Sequence, residues 1–178
     1  ILFLSMNYRN HPNIGIIGAG ALGSYFGIRL ACSGFPVTFL LRSDYETVQK
    51  EGMALTLADG TPEVVDDPVT VNSAQEMGVM DWVIVGLKTT RNYLFKELLS
   101  PVVGPGTVIV TIQNGLGNAE ALQAMFPENP VVGALCQIGV NREAPGRIRS
   151  FVPGDGFVQI GADAPATQEQ LEAFERIL

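Results

Sequence analysis

The stretch from Asn13 to Ser43 reads NIGIIGAGALGSYFGIRLACSGFPVTFLLRS. A short apolar run, Ile14 to Ile17, meets Gly18-Ala19-Gly20-Ala21-Leu22-Gly23. A helical stretch follows to Ser33, Gly34 ends it, and Val37 to Leu41 is a second apolar run. Strand, glycine turn, helix and strand in this order form the first βαβ unit of a dinucleotide-binding domain. Gly18 allows the tight turn out of the strand, and Gly20 lets the backbone come close to a pyrophosphate. Gly23 and, one turn on, Gly27 give the helix a smooth face against the strand. The start of the helix offers unpaired N–H groups and the positive end of its dipole to phosphates.

The end of the second strand bears on which dinucleotide is bound. An acid about 20 residues past the turn suits the free ribose of NAD, and an arginine suits the 2′-phosphate of NADP. Arg42 lies 22 residues beyond Gly20. Its guanidinium can grip a phosphate through two parallel hydrogen bonds, and the Ser43 hydroxyl can add a third. Asp44 competes as a ribose acid, but reads better as the N-cap of a helix from Tyr45 to Lys50 that Gly52 stops. NADP(H) is therefore favoured over NAD(H).

The 178 residues suffice for one well-buried domain, with 47% apolar and 16% charged residues, a globular composition. A net charge of −7 and the lack of a basic run argue against nucleic acid as a partner. No stretch reaches the ~20 apolar residues of a membrane span. Cys32 and Cys136 have no metal or redox spacing and read as small core residues in a reducing, cytoplasmic compartment. The single histidine, His11, cannot make a metal cluster. Ile1 to Leu4 is too short for a secretion signal, and Met6 reads as a natural start.

Further along, Met53 to Leu57 alternates like a half-buried strand, and Val64-Val65 and Val69 to Val71 are short strand candidates. Asn72-Ser73 caps a short helix to Met77. Asp81 to Leu87 and Thr107 to Ile112 are apolar throughout, as central parallel strands are. A helix follows Lys88-Thr89-Thr90 to Leu99, and another spans Asn118 to Phe126. Val131 to Val140 reads as one strand, and Arg147 to Phe151 with Phe157 to Ile160 as a hairpin around Pro153-Gly154-Asp155-Gly156. Thr167 to Gln170 is a capping-box pattern that opens a last helix. This alternation predicts an α/β fold with a mostly parallel, doubly wound sheet. Ligands of such sheets lie outside the carboxyl ends of the strands. Three of those ends carry polar side chains: Arg42, Lys88 and Asn114.

GIIGAGALGSYFG, VTFLLR, VIVGLKT, TIQNGLGN and VVGALCQIGVNREAPGRI, in this order, resemble the N-terminal domain of the ketopantoate reductase (2-dehydropantoate 2-reductase) family. The resemblance runs from Ile14 to the end, and its QNGLGN run is more specific than the glycine turn. It implies a Rossmann-type sheet with helices on both faces, and NADPH-dependent reduction of 2-dehydropantoate to pantoate in pantothenate and coenzyme A synthesis. By the same resemblance, Gly18, Ala19, Gly20, Ala21, Leu22 and Gly23 bind the pyrophosphate and Arg42 the 2′-phosphate. Lys88 and Asn114 line the cofactor, Asn114 also reaches the substrate, and Gly139 offers a backbone contact.

The family also has a helical C-terminal domain carrying the proton-donating lysine, which these residues do not include. The expected organisation is a tail at 1–13, an NADP-binding domain at 14–166 and the start of a linker helix at 167–178. Alone, the chain is expected to bind NADPH, to turn over little, and to expose apolar surface that favours homo-oligomers. Competing readings are another NAD(P)-dependent dehydrogenase of hydroxy acids or sugar phosphates, and a non-catalytic NADPH-binding module.

Overall fold

The computed structural model describes residues 11–154, 156–162, 166 and 168–177. The expectations for Met6, and for Asp155 and Thr167 as turn and capping residues, lie outside them. Two sheets organise the chain. In the larger, β1 (Ile14–Ile17) lies between β2 (Val37–Leu40) and β6 (Trp82–Val85). Beyond β2 lies β5 (Val69–Val71), and beyond β6 lie β7 (Val108–Thr111), β8 (Val131–Gln137) and β11 (Phe157–Gly161). All neighbours run parallel except β11, which is antiparallel to β8. β1, β6 and β7 are buried along their whole length, which is why their sequences do not alternate. The order of winding reverses between β1 and β6, so the crevice at their carboxyl ends is the topological switch point.

Helices cover both faces of this sheet. Ile17, Val83, Val85 and Ile109 pack with α3 (Ala74–Met77), α4 (Phe95–Leu99) and α5 (Asn118–Met125). Ile14, Ile16, Ile84 and Val110 face the other way, towards α1 (Ala21–Cys32) and α6 (Gln168–Ile177). Phe174 of α6 is 1% exposed and stacks on Trp82, with ring centroids 5.6 Å apart.

The smaller sheet, β4 (Pro62–Val65), β3 (Met53–Thr56), β10 (Arg147–Ser150) and β9 (Val140–Ala144), in that order, is absent from the sequence reading. It lies across α1 and leaves that helix wedged between two sheets. This is why α1 buries residues around most of its circumference, from Gly23 through Leu30, instead of along one stripe.

The sheet also corrects two expectations. The apolar run Val131 to Val140 is not one strand: the chain leaves the larger sheet after Gln137 and joins the smaller one at Val140. The expected hairpin does not form either, since β10 pairs with β9 and β3, and β11 pairs with β8. Local turn residues suggested that hairpin. Tertiary burial decides otherwise: Ile148 is needed over α1, while Val158 and Ile160 are needed over the larger sheet.

Other details depart from expectation. The helix expected after Lys88 begins as a 3-10 segment, Thr89–Leu94, before α4. Threonines and Asn92 are weak helix formers, and the Asn92 side chain is held elsewhere. Cys32 is exposed at the end of α1 rather than in the core, and Cys136 is half-buried. Ser73 occupies the cap position of α3 without a capping side-chain bond. α2 (Tyr45–Glu51) ends at Gly52 as expected.

Candidate functional site

The glycine turn sits at the mouth of the switch-point crevice. Gly18 has φ +96°, and a Cβ there would lie 2.5 Å from the Leu87 amide nitrogen, so only glycine fits. A Cβ at Gly23 would run into the Gly18 carbonyl, and one at Gly27 into the Phe39 ring. These three glycines let α1 settle on β1 and β2. Gly20 differs, because a Cβ there would meet nothing within 4 Å. Packing does not explain its bare backbone, whereas the close approach of a ligand would. The first helical bond runs from Ser24 N–H to the Gly20 carbonyl, and neither a capping side chain nor an acid occupies the first turn. The turn thus presents free N–H donors and a positive dipole end, which suits a pyrophosphate.

A hollow of about 380 Å³ opens on each side of the turn. The one on the β2 side is lined by Gly18, Ala19 and Gly20 and by Arg42, Ser43 and Asp44. The Arg42 side chain is exposed, and among the described residues no partner holds its guanidinium. The hollow on the β6 side is lined by Ala21, Leu22, Lys88 and Asn114. The left-handed turn conformation after β7 belongs to Gly115 and Gly117, not to Asn114. Turn geometry therefore does not account for the asparagine.

Asp44 stands at the N-cap position of α2 but makes no capping bond, which corrects that part of the reading. Its carboxylate is taken by Arg142 of β9. Arg142 Nη2 donates to both oxygens at 2.5 and 2.7 Å, and Nε to one at 3.0 Å. Ser43 Oγ donates to the same carboxylate at 2.9 Å. Gly139 is not brought to either hollow. It lies in a separate depression between β8 and β11, and its carbonyl accepts from Phe151 N–H.

Several residues at the site escaped sequence reasoning. Gly86 packs its bare Cα against Gly18 and Gly23, and locks β6 to the turn. Arg142 escaped because its partner is 98 residues away. A half-buried amide network fixes the loop after β7. Gln113 Nε2 donates to the Leu87 carbonyl and to Asn92 Oδ1, both at 2.8 Å. Asn92 Nδ2 donates to Asn118 Oδ1 at 2.9 Å, and Asn118 Nδ2 to the carbonyls of Asn114 and Gly115. The polar ends of QNGLGN were the available signal for it. At the centre of that loop Leu116 is fully exposed.

This fold and glycine turn define a Rossmann-type domain of the NAD(P)-dependent oxidoreductase class. Residues 14–164 match the profile of "Ketopantoate reductase PanE/ApbA", and the chain belongs to that family. It is 37% identical over 142 residues to a 2-dehydropantoate 2-reductase of Nostoc sp., covering 78% of this chain and 43% of that one. The crystal structure of 2-dehydropantoate 2-reductase from Geobacter metallireducens superposes with a TM-score of 0.86 at 36% identity, over 93% of this chain and 54% of that one. A ternary structure of D-mandelate dehydrogenase with NADH and anilino(oxo)acetate superposes with a TM-score of 0.78 at 20% identity, a likeness of fold alone. The chain spans about half the length of these relatives. Among the described residues no helix is long and apolar enough to cross a membrane.

Proposed function

We propose that the protein carrying this chain reduces 2-dehydropantoate to pantoate with NADPH, in the cytoplasm, and that these residues supply the cofactor-binding part. The observation that carries this reading is the bare Gly20 backbone between two hollows, with the unpartnered Arg42 on one side and Lys88 and Asn114 on the other. Family membership and the 2-dehydropantoate 2-reductase relatives support the substrate.

Gly18 to Gly23 receive the pyrophosphate on backbone N–H groups, and Arg42 holds the 2′-phosphate. Lys88 supplies positive charge beside the nicotinamide end. The Asn114 amide, able to donate and accept, orients the nicotinamide or the substrate carbonyl. The cofactor, when bound, supplies a hydride to the keto carbon. The carbonyl oxygen then needs a proton, and Lys88 is a positioning group rather than that donor. The donor is a lysine of a helical domain that follows residues 14–166, with 167–178 as the start of the connecting helix. Because a positioned acid contributes ~10²–10⁴-fold, the 178 residues alone bind NADPH but turn over little.

Cofactor choice provides the test. NADPH should bind at least ~10-fold more tightly than NADH, the worth of one charge-assisted hydrogen bond. Arg42→Ala should remove most of that preference while leaving NADH nearly unchanged, as read by nicotinamide fluorescence. Equal affinity of the unmutated protein for both cofactors would overturn the NADP(H) reading. Full protein that fails to oxidise NADPH with 2-dehydropantoate would overturn the substrate.

A further inference from the structure

The Asp44–Arg142 pair faces the hollow on the β2 side, and both residues line it beside Arg42 and Ser43. Asp44 is 7% exposed, and it lies where an acid would take the ribose hydroxyls of a cofactor without the 2′-phosphate. Left free, that carboxylate would do two things. It would accept hydrogen bonds from a ribose, and it would repel a phosphate held by the neighbouring Arg42. The Arg142 fork removes both effects, because it occupies both carboxylate oxygens and cancels their charge.

The pair is also a link between the two sheets. Asp44 is buried and Arg142 is 39% exposed, so the pair fastens β9 to the loop after β2, and a stability measurement has to accompany the binding test. The smaller sheet is joined to the rest of the chain by other contacts as well. Arg147 of β10 donates to the Glu51 and Gly52 carbonyls at the end of α2. Ile148 is buried over α1.

We propose that Arg142 is a positioning residue that sets the cofactor preference through Asp44: by sequestering the carboxylate it makes the hollow one for a 2′-phosphorylated nucleotide. The proposal rests on the assignment of this hollow to NADP(H). It also gives the smaller sheet a task at the site, since β9 carries the residue that governs a carboxylate after β2.

The test uses the full protein with Arg142→Gln, Asp44→Asn and the double variant. Binding of NADPH and NADH, and of 2′,5′-ADP and 5′-AMP as probes of the adenosine end alone, is measured together with the melting temperature. Arg142→Gln should weaken NADPH and 2′,5′-ADP by ~10-fold or more, the size of losing one charge-assisted contact, while NADH and AMP hold or tighten. Adding Asp44→Asn should restore NADPH to near its original affinity, because the stranded carboxylate is then gone.

A double variant as weak for NADPH as Arg142→Gln would overturn the proposal and make Arg142 a direct phosphate ligand. Equal weakening of both cofactors with a lowered melting temperature would overturn it in favour of a structural role. If Arg42→Ala abolishes a preference that Arg142→Gln leaves intact, this proposal fails and the NADP(H) assignment stands. If the unmutated protein shows no preference, both fail.

Discussion

Gly23 lies directly against the Gly18 carbonyl, so the residue that opens the turn and the residue that seats α1 form one contact, with Gly86, just past the end of β6, pressed onto both. Gly20, between them, touches nothing in the place where its Cβ would be. The turn therefore holds two kinds of glycine, one required by packing and one whose bare backbone packing does not explain.

Substitution should separate them. Gly23→Ala forces a methyl into backbone that cannot swing aside and should cost roughly 1–3 kcal/mol of stability. Gly20→Ala should cost ~1 kcal/mol or less, since φ −78° is open to any residue and only a modest cap preference is lost. It should nevertheless weaken NADPH severalfold or more. Urea denaturation and cofactor titration of both variants check this. Unimpaired binding by Gly20→Ala would show that the space is not a phosphate seat.

The amide network makes a second prediction. Asn118 is 5% exposed, and its side chain bonds Asn92 and two carbonyls of the loop carrying Asn114. Asn118→Ala removes those bonds, and the half-buried Asn92 amide that loses its acceptor accounts for most of a cost of ~1–3 kcal/mol, since Asn114 and Gly115 are exposed. The melting temperature should fall. NADPH affinity should fall further than that of an adenosine-end fragment such as 2′,5′-ADP, because the disturbed loop lines only the β6-side hollow. Equal losses for the two ligands would separate the network from the nicotinamide end.

Cys136 carries a pH dependence. Burial pushes its thiol up from 9.0 to about 12, so the folded chain holds this proton more tightly than the unfolded chain does. The stability gained is complete below pH 9 and is lost as pH rises from there through about 12. Between pH 8 and pH 11 the unmutated chain should therefore lose more stability in urea denaturation than Cys136→Ala. Identical losses would place the thiol in water.

The parts of this structure that were legible in the sequence are local ones. β1, the glycine turn, α1 and β2 follow one another without interruption, and each turn residue acts on its immediate neighbours. Arg42, Lys88 and Asn114 could be placed because a strand end is visible as the stop of an apolar run. Asp44 shows where such reading stops. Its position before α2 was legible, but its partner was not, because pairing with Arg142 depends on β9 belonging to a second sheet. Val131 to Val140 is mostly apolar although the chain changes sheets within it. Only Gln137, where β8 ends, and Gly139 mark that change in the one-dimensional pattern. The 3-10 segment is similar: the Asn92 side chain is held by Gln113, in the loop after β7, and by Asn118, the first residue of α5.

The parallel pairing of β3 with β10 has a consequence for how the chain reaches this state. β3 and β4 are adjacent and can pair early, but the other edge of β3 waits until β5 to β9 have been made. Until then the Ala54 N–H, which finally donates to the Gly146 carbonyl at 2.8 Å, has no partner in the nascent hairpin. Such long-range closure slows folding, and an unfilled strand edge is where a growing chain pairs with a neighbour instead of with itself. The smaller sheet thus keeps one edge of β3 open over a long stretch of chain, and the interval before β10 arrives is when strand exchange between two copies competes with correct folding.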